Sequence, residues 1–379
     1  MRNAAAAPQA SRAASGAQAG FTILEMVVAV AIFTIVVGAI YALLEVGRSD
    51  AFRTGQRAEM LQNARVALNT MEEDARHAGV GYPTYGGMVP DGTLERLLYL
   101  SAETGGGPDF LTPVVPGDGV RQISVDGVDV YTDAVTFVYQ DNTFNDGKAL
   151  GVKNIDSKTN TVTVDPDNTK CSSGNLYVYV ISTGNKGPGG SDTALGSLMS
   201  LSGTDKLLFS TGDPLKINDP GSAGTFAQIG TSGAIKRITW VTYFVKPDRT
   251  LVRREYGNTT QLVGAGVPGG GLGGVVPVAN GSGVGFVEMP LAYNVDDFQV
   301  KYILTDGSVV DDVKASVDAD GNPITASQNR QNIRVVQVTL AVRSPQNDPK
   351  TKQPIRTTVQ EAFYTPNLTV PELPSEDGT

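Results

Sequence analysis

The chain has 379 residues, with 30 Lys and Arg against 39 Asp and Glu, one histidine and one cysteine. Its formal charge of −9 argues against broad contact with nucleic-acid phosphates. A single cysteine, Cys171, excludes an intrachain disulfide, and a single histidine, His77, leaves no histidine pair for a metal and no ready base for a nucleophilic triad.

Residues 1–20 contain Arg2 and Arg12 and no acid. Residues 21–44 then form an apolar run whose only polar side chains are Thr22, Glu25 and Thr34. As a helix it would extend roughly 36 Å, enough to cross a hydrocarbon core of about 30 Å. Gly38 is its one glycine and it has no proline. A cleaved secretory signal places small residues after the apolar run. Here Ala17-Gln18-Ala19-Gly20 precede it, and Glu45-Val46-Gly47 is a poor cleavage site. The arginines before the run orient the N-terminus inward and the bulk of the chain outward. Glu25 is the costly feature: a carboxylate within a membrane run costs roughly 2.5–3.5 kcal/mol and needs a partner.

The helix is expected to continue to about His77. Leu61, Ala64, Leu68, Met71, Ala75 and Ala78 recur at helical spacing on one face, and Gly79, Gly81 and Pro83 supply the stop. Its first half is apolar all round and its second half is amphipathic, suited to lie on a sheet. His77 reads as a cation in the last turn, favoured by the helix dipole.

Strand patterns dominate after Gly81. The segments 134–139, 176–181 and 238–245 are β-branched and aromatic, and Pro247-Asp248-Arg249-Thr250 turns the last of them into 251–256 as a hairpin. Arg253 and Arg254 are expected to cap the edge of that hairpin. Residues 295–304, closed by Asp306-Gly307, and the pair 333–342 and 357–364 complete the pattern. No long amphipathic helix is evident there, so the fold class is α+β: a long N-terminal helix packed on a large, mainly antiparallel β head. The domain plan is 1–20 leader, 21–44 membrane helix, 45–80 stalk and 81–379 head, with two lobes possible at about 84–236 and 237–379. Cys171 lies in a turn-like stretch and reads as a buried or incidental thiol.

Three further motifs carry little chemistry. Gly264-Ala265-Gly266-Val267-Pro268-Gly269 matches a dinucleotide fingerprint, but Pro268 and the following glycines forbid the helix that such a site needs. Residues 141–147 and 318–321 gather Asp, Asn and Gly as calcium loops do, without the full ligand string, and read as turns. No cofactor and no enzymatic activity are expected.

Gly20, Phe21 and Glu25 resemble the processing site of the type IV pilin superfamily. That resemblance implies cleavage after Gly20 by a prepilin peptidase and methylation of the Phe21 amine. It also implies that Glu25 pairs with the Phe21 amine of a neighbouring subunit, which would resolve the cost of its charge. Loss of the leader would take the formal charge from −9 to −11, because Arg2 and Arg12 leave with it. Within the superfamily, Ala64-Arg65, Leu68 and Ala78-Gly79 in the stalk, and the order of the head segments through Leu251-Val252-Arg253-Arg254 and Asn332-Ile333-Arg334-Val335, resemble PilW-type minor pilins. The J-type pseudopilins of type II secretion systems share that order, usually with a smaller head. The implied partners are other pilins through the N-terminal helix, the prepilin peptidase and, before assembly, the bacterial inner membrane, with the head in the periplasm or outside and no nucleic acid. A reading from another class is an extracytoplasmic binding domain on a plain signal anchor.

Overall fold

The computed structural model describes residues 22–100, 108–165, 170–171, 175–187, 191–218, 224–257, 259–260, 285–317 and 323–368. One helix, α1, runs over Ile23–His77 and is followed by a large, mostly antiparallel β head. Its start is set by Thr22, whose hydroxyl accepts the Glu25 N–H. Its end is set by Ala78, whose N–H bonds back to Asp74 and Ala75 carbonyls, and by Gly79 at φ +83°, which a side chain would resist. The two later described α-helices, Thr93–Leu98 and Ala326–Arg330, are only six and five residues long.

The buried stripe of α1 holds five of the six expected residues and adds Met60, Ala67 and Asp74. Met60, Ala64, Ala67, Leu68, Met71, Asp74, Ala75 and Ala78 are buried, whereas Leu61 is half-buried. The seam 60, 64, 67, 71, 74, 78 advances by 4 and 3, the spacing that keeps a helix face against one partner, and it carries Asp74 into the core.

The head is organised by the strand Gly233–Val245. Its first residues pair with Leu150–Asp156 on one side and Val178–Thr183 on the other. From Ile238 onward it pairs instead with Val128–Gln140 and Leu251–Tyr256. One strand thus runs unbroken through residues 236–237 and joins both regions into a sheet of thirteen strands. A separate four-stranded sheet contains Val295–Leu304, Ile333–Asn347 and Pro354–Tyr364 in that order across the sheet. The strands read from the sequence at 134–139, 238–245, 251–256, 295–304, 333–342 and 357–364 all lie within these elements.

α1 packs where the two sheets meet. Its seam joins Phe137, Val241 and Tyr243 of the large sheet with Phe298, Val338, Leu340 and Phe363 of the small one in a single core. Two other cores lie within the large sheet, one around Trp240 and Tyr256, the other around Tyr179, Phe209 and Phe226. Pro354–Tyr364 follows the helix along its length. Its eleven residues extend roughly 33–37 Å, and residues 53–76 of α1 rise about 35 Å. The register is fixed at both ends: Arg53 Nε donates to Asp348 at 2.6 Å, and Asn367 donates to the Arg76 carbonyl at 2.8 Å.

Asp133 joins the two sheets by a different device. It is 2% exposed and accepts the Gly119 N–H at 2.8 Å and the Val300 N–H at 2.7 Å. Burial pushes its carboxyl up to about 6, with Asp118 and Asp297 adding to the rise against the two backbone bonds. The fold therefore prefers this group protonated, and stability is lost as pH rises from about 4 through about 6. Asp126, bonded by Arg343, and Asp348, bonded by Arg53, are held below the carboxylate range and act in the opposite sense, at lower pH. Asp133→Asn is expected to flatten the stability profile between about pH 4 and pH 6, measured by urea unfolding at a series of pH values, and to leave the acid limb unchanged.

Candidate assembly helix and its anchorage

α1 is two different objects in one element. Every residue from Thr22 to Arg48 is exposed, including Ile23, Phe33, Ile35 and Leu43. It is long and apolar enough to cross a membrane. A helix that presents apolar side chains on all faces must bury them in lipid or in other helices.

Glu25 lies in the first turn of this stretch. The Thr22 N–H and the Thr22 hydroxyl both donate to its Oε2 at 3.0 Å, and its own N–H returns to the Thr22 hydroxyl at 3.3 Å. This reciprocal capping box satisfies the helix end. Its donors are neutral, and no cation of the described residues forms an ion pair with it. Gly20 and Phe21 lie outside the described residues.

The second carboxylate on the helix, Asp74, was not legible as a site in the apolar pattern. It is 5% exposed and faces the head. Arg253 donates to it through Nε at 2.7 Å and Nη2 at 3.3 Å, Tyr139 donates at 2.7 Å, and the Tyr243 hydroxyl completes the set. Burial pulls the Arg253 guanidinium down, but its bonds to Asp74 outweigh that and hold it above its ordinary value. Burial raises both tyrosines, so they remain neutral donors. The one available signal was register: Asp74 falls on the 60-64-67-71-74-78 seam, and Arg253 on the helix-facing side of its strand.

Arg253 and Arg254 do not cap a hairpin edge. Their strand is paired on both sides, with Gly233–Val245 and Phe286–Ala292. Successive side chains of a strand point to opposite faces. Arg253 therefore meets the helix, while Arg254 bonds Glu288 on the other face at 3.0 and 2.6 Å and stacks over Phe286 and Phe244 at 4.0 and 4.6 Å.

The remaining sequence candidates have structural partners. His77 is exposed at the end of α1, its ring 5.6 Å from that of Tyr139. A cleft of about 220 Å³ opens there, lined by Glu73, His77, Asp141 and Thr143. Asp141 is engaged: Arg237 donates to one oxygen at 2.7 Å, and the Thr143 N–H and hydroxyl to the other at 2.8 and 2.7 Å. Cys171 is buried, and burial pushes its thiol up to about 11. Among the described residues, no group of three or more His, Cys, Asp or Glu side chains is placed to hold a metal. The motifs at 264–269 and 318–321 lie outside the described residues.

With this geometry in view, residues 16–41 match the family model described as the prokaryotic N-terminal methylation motif. The match spans residues 16–20, Glu25 and most of the exposed half of α1, and it marks the chain as type IV pilin-like, a description that includes pseudopilins. With the apolar helix, it is consistent with membrane anchoring. No curated protein matches the chain.

Removing one partner of a buried ion pair strands the other charge and typically costs about 3–5 kcal/mol. Asp74→Ala is expected to destabilise the head by an amount in that range, read by denaturant unfolding of the full chain in detergent. Asp74→Leu combined with Arg253→Met should recover much of the loss, because both buried charges leave together and only the half-buried Glu255, which Arg253 also bonds at 2.8 Å, gives up a partner.

Proposed function

We propose that the chain is a structural subunit of a type IV pilus-like fibre, a minor pilin of the PilW type, with no catalytic role. The observation that carries this reading is the division of α1: residues 22–48 are exposed and apolar as far as Leu44, while the rest is bonded to the head at Arg53, Asp74 and Arg76. A plain anchor needs no such rigid continuation. A fibre subunit does, because its head must be held at a fixed angle and height on the helix that packs into the bundle.

In this reading the subunit waits in the bacterial inner membrane, crossing it once with the head on the far side. A prepilin peptidase removes residues 1–20, and the Phe21 amine is methylated. In the bundle the Glu25 carboxylate meets the Phe21 amine of a neighbouring subunit, exchanging neutral capping donors for a cation and setting the axial register. The large head, over residues 81–379, favours the PilW type over the J-type pseudopilin, and it offers lateral β surfaces to other minor pilins.

Mass spectrometry of the purified mature chain should find Phe21 as a methylated N-terminus. A chain left uncut, or cut after Ala19, would sink the reading in favour of a signal-anchored domain. Glu25→Ala should be processed normally yet be depleted at least severalfold from sheared fibres; undiminished incorporation would remove the pairing role.

A further inference from the structure

The loop between Ile333–Asn347 and Pro354–Tyr364 is the part of the described head bonded closest to the exposed half of α1. Asp348, 4% exposed, holds it there. The carboxylate takes Arg53 Nε at 2.6 Å on one oxygen and the Lys350 N–H at 2.8 Å on the other, and the Lys352 N–H bonds the Asp348 carbonyl at 2.8 Å. The loop is therefore fixed to the stalk, with Lys350 and Lys352 exposed on it. Neither lysine forms an ion pair among the described residues.

Arg53 lies nine residues beyond Leu44, about 13 Å along the axis. The polar headgroup region on each side of a bilayer is roughly 6 Å deep. A lysine on a loop clamped at Arg53 can span the rest. The same level of the helix carries exposed Arg48 with the acids Glu45 and Asp50, which offset one another in part. The chain as a whole is acidic, at −9. An anionic surface repels such a body and draws it round to its cationic loop.

We propose that Lys350 and Lys352 dock on anionic phospholipid headgroups while the subunit waits in the membrane, fixing the orientation of the head before assembly. The inference rests on the reading of residues 21–44 as membrane-spanning. Because the helix tethers the loop at the surface, weak attraction is enough. Two lysines near an anionic surface favour the docked orientation by roughly tenfold or more, and salt weakens the effect.

The test uses the full chain in nanodiscs of phosphatidylcholine alone or with added phosphatidylglycerol, with amine labelling read by mass spectrometry. Labelling of Lys350 and Lys352 should fall severalfold when phosphatidylglycerol is present and return at high salt. Exposed Lys158, remote from the loop, should label equally in both discs. Lys350→Gln should reduce the protection of Lys352. Equal labelling of the two loop lysines in both discs, or equal protection of Lys158, would overturn the proposal. Failure of the chain to co-purify with phosphatidylcholine discs overturns instead the membrane reading beneath it, and is seen before any lysine is labelled.

Discussion

The structure depends on a buried charge. Asp74 sits on the apolar seam of α1, and Arg253, Tyr139 and Tyr243 surround it from three strands of the large sheet. A carboxylate there is costly unless its oxygens are filled, and four hydrogen bonds from the head fill them. An apolar seam alone would let the helix slide by a turn with little loss, because Ala, Leu and Met are interchangeable to a first approximation. A charge that can be satisfied at one position only does not permit that. Register is the role for which a polar residue on an apolar helical face is best attested.

With the register fixed, the rest of the helix acquires its use. The Arg53–Asp348 bond lies 21 residues before Asp74, roughly 32 Å along the axis. Between these two points α1 is held in the groove where the sheets meet, and before them it is bare. The two acids of α1 that matter thus have opposite fates. Asp74 is spent within the subunit, on holding the head. Glu25, at the other end, is capped only by neutral donors of its own turn and remains available for a contact between subunits.

Legibility followed the range of the interactions. The helix and the core strands of the head could be read because periodicity and turn chemistry are local: the strand 238–245, the Pro247-Asp248-Arg249-Thr250 turn and the strand after it lie in one hairpin. The placement of Arg253 and Arg254 could not. Their strand reads as the outer member of a hairpin until Phe286–Ala292 pairs with its far side, and that partner begins thirty residues after Tyr256 in the sequence. Asp133 shows the same limit. It bonds Val300, far along the chain, and no local pattern distinguishes it from an ordinary strand aspartate.

The sequence by itself determined the two-part helix, its stop at Gly79, and the β character of the head. These follow from side-chain hydrophobicity and backbone preference within a few turns of chain. Only the tertiary structure decided which acid the head takes for itself, how one strand serves two regions of a sheet, and how far the head descends along the helix toward its apolar half. Those are outcomes of pairing between distant segments, where the cost of burying a charge is weighed against donors that the chain brings together only on folding.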